Sequence, residues 1–205
     1  IQPAAGDAGG ALGAALFAWY QYLDNERRAD GAHDFMRGSF WGPEFTNEDI
    51  RLYLEQNEIP GEELSSEELP ERIADLIAAE KTIGWFQGRM EFGPRALGAR
   101  SIIGDARSPR MQETMNLKIK FRESFRPFAP TVLRERVSDY FDLDGESPYM
   151  LLVAPVKESI RREMTAQEQS YFGLEQLHVV RSVIPAVTHV DYSARVQTVA
   201  EEINP

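Results

Sequence analysis

The chain has 205 residues, 42% hydrophobic and 27% charged, a balance that supports a packed core and excludes disorder or a fibrous repeat. Cysteine is absent, which excludes disulfides, thiol nucleophiles and thiolate metal sites, and three histidines leave little for zinc. A net charge of −11 argues against a general nucleic-acid or membrane-surface binder.

No apolar run approaches the ~20 residues of a membrane helix. The first apolar stretch, Ala11 to Tyr20, is short and follows Gly-Asp-Ala-Gly-Gly rather than a basic leader, so no signal peptide is expected and cytoplasm is the default. The charge is unevenly spread. Between Trp85 and Arg136 eleven Lys/Arg face five acids, while the rest of the chain carries eleven against twenty-eight. Those cations are interleaved with Gly, Pro and Phe, the composition of a shaped site for an anionic small molecule. The plainer reading is a solvated basic face.

In chain order, Ala5-Gly6-Asp7-Ala8-Gly9-Gly10 feeds Leu12, Ala15, Leu16, Trp19, Tyr20 and Leu23, whose spacing predicts a buried helix. Its N-terminus could accept phosphate, while Asp7 taken alone reads as a cap. Asp24 to Pro43 loses periodicity and reads as a connection packed across a surface by Phe35, Phe40 and Trp41. Thr46 followed by Asp49 predicts a capped helix carrying Ile50, Tyr53 and Leu54. A further helix is predicted from about Glu67, and a short strand over Thr82 to Phe86. Ser108-Pro109 predicts the start of a short helix through Met111 and Met115. Lys118 to Arg122 alternates and predicts a strand with three cations on one face. Two prolines make Glu123 to Pro130 irregular. Leu133, Val137, Tyr140 and Phe141 share a helical period. Tyr149 to Val156 and Ser182 to Val190 read as strands, with no closing element before Asn204-Pro205.

Lys118, Lys120 and Arg122 on one strand face would repel each other unless an anion sat opposite, and Arg126, held by Pro127, reaches the same volume. An exposed strand edge protected by lysines is the alternative. Arg95, between Gly93-Pro94 and Gly98, could present its guanidinium where backbone approaches a ligand; its loop could equally be arginines paired with Glu91 and Asp105. His33 and His178 read as surface residues. His189 lies where strand-end side chains often meet ligands.

Gly88-Arg89-Met90-Glu91-Phe92-Gly93-Pro94-Arg95-Ala96-Leu97-Gly98, then Lys120-Phe121-Arg122-Glu123-Ser124-Phe125-Arg126-Pro127-Phe128-Ala129-Pro130, then His189-Val190-Asp191 with Arg195-Val196-Gln197-Thr198, resemble the carbamoyltransferase family that modifies nodulation factors and antibiotics. Ser124 stands where proline is usual, and Tyr192-Ser193 where Gly-Thr is usual. The resemblance implies an α/β (or α+β) fold, a YrdC-like twisted mixed sheet with flanking helices. A helix left from an actin-like ATPase module would precede it. The implied division is 1–30 for the end of the actin-like module, 31–45 for a linker and 46–205 for a YrdC-like domain incomplete at its C-terminus. The remaining actin-like module, with its histidine metal site, would lie upstream as a partner.

The implied chemistry is formation of carbamoyl adenylate from carbamoyl phosphate and ATP with Mg²⁺, and transfer to a hydroxyl of a small-molecule acceptor. Carried over by motif, Arg95, Lys120 and Arg126 would be catalytic. Asp7, Arg122, Arg195 and His189 would bind substrate or nucleotide, and no metal ligand is assigned in this chain. Two other readings stand beside this one: a non-catalytic nucleotide- or phosphate-binding module, and a YrdC-like RNA-binding domain, which the acidic total disfavours.

Overall fold

Helix α1 runs Asp7–Phe17 and continues through a wider turn at Ala18–Tyr22 in the computed structural model, which describes residues 3–31 and 33–203. The expected end at Asn204-Pro205 lies outside the described residues, as do Ile1, Gln2 and Ala32. The helix forms where its period predicts, but the expectation that it is buried is corrected. Gly9 is the buried position of α1, whereas Leu16, Phe17, Trp19, Tyr22 and Leu23 are exposed. A 3.6-residue period specifies an apolar face, not the surface that covers it. Gly9 is required locally, since a Cβ there would come within 2.6 Å of the Ala4 carbonyl oxygen.

The connection after α1 does lie across a surface, chiefly through backbone. Phe92 N–H donates to Ser39 C=O at 2.6 Å, Gly42 N–H to Met90 C=O at 2.8 Å and Met90 N–H to Pro43 C=O at 2.9 Å. Ser39 is buried, while the Phe35 and Trp41 rings remain exposed. Tyr149 OH donates to Asp34 and ties down the middle of the connection.

Helix α2 (Asn47–Gln56) opens on the expected Thr46–Asp49 capping box. Helix α3 (Glu68–Ala78) follows a second reciprocal exchange between Ser65 and Glu68. Strand β1 (Ile83–Phe86) pairs antiparallel with β2 (Arg100–Ile103), Ile83 opposite Ile103, and the 87–99 loop closes the hairpin. The short helix expected after Ser108-Pro109 forms as α4 (Met111–Thr114), but its cap position is Arg110 and no side chain caps it, so the expected start is corrected by two residues.

Lys118 to Arg122 is not a strand. Residues Met115–Ile119 form a wide helical turn closed by Lys120 N–H donating to Met115 C=O at 2.9 Å, and Phe121 then takes a left-handed φ of 48°. Alternation over five residues fits a strand and a tight helical exit equally well, and packing of Met115 decided for the helix.

Strand β5 (Ser193–Val199) lies between β3 (Thr131–Leu133), which it pairs with in parallel, and β4 (Leu152–Pro155), which it pairs with antiparallel. The Ser182–Val190 strand is therefore corrected. That stretch holds one short helical turn at Pro185–Val187, and the central strand follows it. Pro185 cannot donate to a ladder, which excludes a strand interior there. The expectation of no closing element is corrected by β5 as well.

Helix α5 (Val137–Tyr140) packs on this sheet, while Leu133 belongs to β3. Phe141, Val156, Ala194 and Val196 are the least exposed members of the core, with Val137, Ile184 and Val187 around them. A second cluster of Met111, Met115 and Ala186 touches Phe128, which also packs on the first. Helix α6 (Ala166–Gln169) caps the excursion between β4 and β5. The whole is α/β, with two small sheets and flanking helices. No helix among the described residues is long and apolar enough to cross a membrane.

Candidate functional site

Between the hairpin and the three-stranded sheet lies a cavity of about 650 Å³. Its floor is apolar, formed by Met111, Met115, Phe128, Ala186 and Val187. Gly104 lets β2 approach that floor, because a Cβ there would meet the Met111 and Met115 sulfurs at 2.7 and 2.9 Å. Four cations line the cavity, Arg95, Lys120, Arg122 and Arg195, and none of its lining residues is acidic.

The loop carrying Arg95 is organised by Glu91, whose side chain is fully buried. One carboxylate oxygen accepts the Leu97 and Ala99 N–H groups at 2.6 and 2.9 Å; the other accepts Arg100 Nε at 2.8 Å. Burial alone would push this carboxyl up, but the Leu97 N–H, the Arg100 guanidinium and the Ala99 N–H together hold it below the usual carboxylate range. Gly93 and Gly98 bend the loop at φ of 101° and 124°, values that favour glycine. The paired-arginine alternative holds for Arg100 with Glu91, Arg107 with Asp105 and Arg89 with Glu44. Arg95 differs: half-buried, it makes no hydrogen bond or ion pair with any described residue.

Arg195 enters from the central strand. Its Nε is buried without a hydrogen-bond partner. Burial first, and the neighbouring Arg95 charge second, hold its guanidinium below its usual range. Two unpaired guanidiniums this close are stable together only at a cost, which an anion between them would remove. Gln197, 2% exposed and two residues along β5, donates to Leu97 C=O at 2.8 Å and ties the Arg95 loop to the sheet that carries Arg195.

Arg122 stacks on the Phe128 ring at 4.9 Å and donates through Nε to Asn116 Oδ1 at 2.6 Å. Lys120 lines the cavity from an exposed position. The other three motif residues lie off the lining. Arg126 is exposed and paired with Glu123 at 2.8 Å, and its carbonyl rather than its guanidinium is held near the site by Asn116. Asp7 sits in the first turn of α1, away from the cavity wall. His189 hydrogen-bonds Ser193 Oγ at 3.1 Å, its Nε2 is buried without a partner, and burial pushes its imidazole below the usual histidine range.

Composition alone passed over Asn116, Glu91 and Gln197. Glu91 and Gln197 stand inside the family motifs without a site signal of their own, because a polar residue becomes a positioning group only when folding buries it.

The chain matches the family described as "Carbamoyltransferase C-terminus" over residues 74–205. It is 39% identical over 211 residues to nodulation protein NolNO of Sinorhizobium fredii, covering all of this chain and 27% of that protein. It is also 39% identical over 210 residues to nodulation protein NolO of Bradyrhizobium diazoefficiens, covering all of this chain and 34% of that protein. An uncharacterized protein of Synechocystis sp. is 58% identical over 207 residues, with all of this chain and 34% of that protein covered. The chain thus spans about a third of the length of these relatives. A family match across more than half of its residues, which include the loop and strands that build the cationic cavity, makes this chain a member of the carbamoyltransferase family, corresponding to its C-terminal part.

Proposed function

We propose that this chain is the part of an O-carbamoyltransferase that binds carbamoyl phosphate and ATP and forms carbamoyl adenylate, through a YrdC-like arrangement of its sheet and cations. The observation that carries the reading is the pair Arg95 and Arg195, unmatched by any acid in the cavity lining. Phosphate oxygens are the acceptors that two planar guanidiniums and a nearby lysine suit. The apolar floor offers a surface for an aromatic base. The uncovered face of α1 fits residues 1–30 as the end of a preceding module, with 46–205 as the adenylate-forming part.

Water would cleave carbamoyl phosphate to carbamate and phosphate. A carbamate oxygen would then bond to the α-phosphorus of ATP as the bond to pyrophosphate breaks. Arg95 and Arg195 would hold the charge that builds on the phosphoryl oxygens, and Arg122 and Lys120 the departing polyphosphate. Positioning and fixed charge would supply most of the rate effect. Mg²⁺ accompanies ATP, but the cavity lining offers no carboxylate and the described residues hold no acid or histidine cluster fit for a metal. The described residues therefore do not fit a metal site, and no step is assigned to one. Transfer to the acceptor hydroxyl would take place in the preceding module.

Isotope exchange between pyrophosphate and ATP in the full chain, dependent on carbamoyl phosphate, tests the reading. Arg195→Ala is expected to lower it about a hundredfold, the usual worth of an aimed charged donor. Nucleotide binding with no exchange in the wild type would leave a binding module and sink the enzymatic reading.

A further inference from the structure

Asn116 is 0% exposed and lies in the wide turn that follows α4, a kind of helical irregularity common beside functional sites. Four hydrogen bonds join this one residue to the segment 122–126. Its Nδ2 donates to Ser124 C=O at 3.1 Å and to Arg126 C=O at 2.8 Å. Its Oδ1 accepts from Arg122 Nε at 2.6 Å, and its backbone C=O accepts Arg122 N–H at 3.0 Å. Two carbonyls on one side and a guanidinium on the other leave the amide one orientation. The left-handed Phe121, φ 48°, sits between the cavity residues Lys120 and Arg122 inside this clasp. A bulky residue holds that conformation only where its surroundings over-determine it.

The chemistry of the anchor matters as much as its geometry. Elsewhere arginines are held by carboxylates: Arg100 by Glu91, Arg107 by Asp105, Arg126 by Glu123. Arg122 is held by a neutral amide. An amide fixes the guanidinium at Nε without itself bringing a countercharge, and leaves its terminal nitrogens available to the cavity. A carboxylate would fix it equally well and cancel the charge. We infer that Asn116 is a positioning residue, which aims Arg122 at an anionic phosphate group without discharging the guanidinium. This rests on the reading of the cavity as a phosphate site.

The test is calorimetric binding of inorganic pyrophosphate to the full chain in a double-mutant cycle. Arg122→Ala and Asn116→Ala are each expected to weaken binding about tenfold, the scale of one charge-assisted hydrogen bond, with the double variant no weaker than Arg122→Ala. A residue that merely supported the fold would lower affinity further in the Arg122→Ala background, and such multiplication overturns the inference. Wild-type affinity in Asn116→Ala also overturns it. Unchanged affinity in Arg122→Ala would instead sink the phosphate reading of that arginine, and the inference with it. Since emptying a buried site can cost the fold, Arg122→Lys probes the same link from the cavity side: the charge stays, but the Nε–H held by Asn116 is gone. Affinity within about twofold of Arg122→Ala is expected; wild-type affinity overturns the inference.

Discussion

Two irregular segments, 91–100 and 116–126, each hold a cation at the cavity, and they do so with opposite electrostatics. The first is built on a buried carboxylate, Glu91, which gathers two backbone N–H groups and the Arg100 guanidinium. Its negative charge is consumed by Arg100, while Arg95 pairs with no acid among the described residues. The second segment is built on a neutral amide, Asn116, which binds Arg122 directly and leaves its charge intact. A carboxylate can organise a cationic site only if a dedicated arginine neutralises it. An amide can do so in contact with the working arginine itself.

The largest expected effect comes from breaking the first arrangement. Glu91→Gln keeps the shape but removes the charge that Arg100 and two N–H groups require, and should cost about 3–5 kcal/mol at pH 7, as loss of one partner of a buried pair does. Because the folded carboxyl titrates below its unfolded value, its contribution is present above about pH 4.3 and fades as pH falls through the folded value. Chemical denaturation should therefore show the gap between wild type and Glu91→Gln narrowing in acid. A gap independent of pH would mean that shape rather than charge organises the loop.

A smaller effect is expected at Arg95, where the loop has a working arginine and no partner. Arg95→Lys should lose about 1–3 kcal/mol of transition-state stabilisation in the exchange reaction, close to Arg95→Ala, because lysine lacks the planar two-donor geometry. The melting temperature should hardly move in either variant, since Arg95 pairs with no described residue. Wild-type exchange in the lysine variant would show that charge alone matters.

The smallest effect is expected at Arg126, the motif arginine the structure pairs with Glu123 on the surface. Exposed pairs of this kind contribute little. Arg126→Ala should leave exchange within about twofold of wild type, so a larger drop would return its side chain to the reacting group and blur the contrast between the two segments.

Much of the local structure was legible in the chain. Thr46 with Asp49 specifies a helix start because the side chain and the backbone satisfy each other within four residues. The glycines around Arg95 are an equally local statement, since Gly93 and Gly98 take the positive φ that favours glycine. The stretch from Trp85 to Arg136, where eleven cations segregate, supplies three of the four cations that line the cavity, Arg95, Lys120 and Arg122.

Other features required the tertiary structure. Alternation at Lys118 to Arg122 yielded to a helical turn because Met115 and Asn116 are buried there. The central strand Ser193–Val199 mixes Arg195, Gln197 and Thr198 with Ala194 and Val196, so its composition conceals a strand whose inner positions are buried from both sides. Sequence determines which side chains carry charge and which backbone can bend. Whether a given arginine is consumed by a carboxylate, as Arg100 is, or left facing a cavity, as Arg95 and Arg195 are, is decided only when residues far apart in the chain are desolvated side by side. Burial sets the strength of each charge, and burial is a property of the fold.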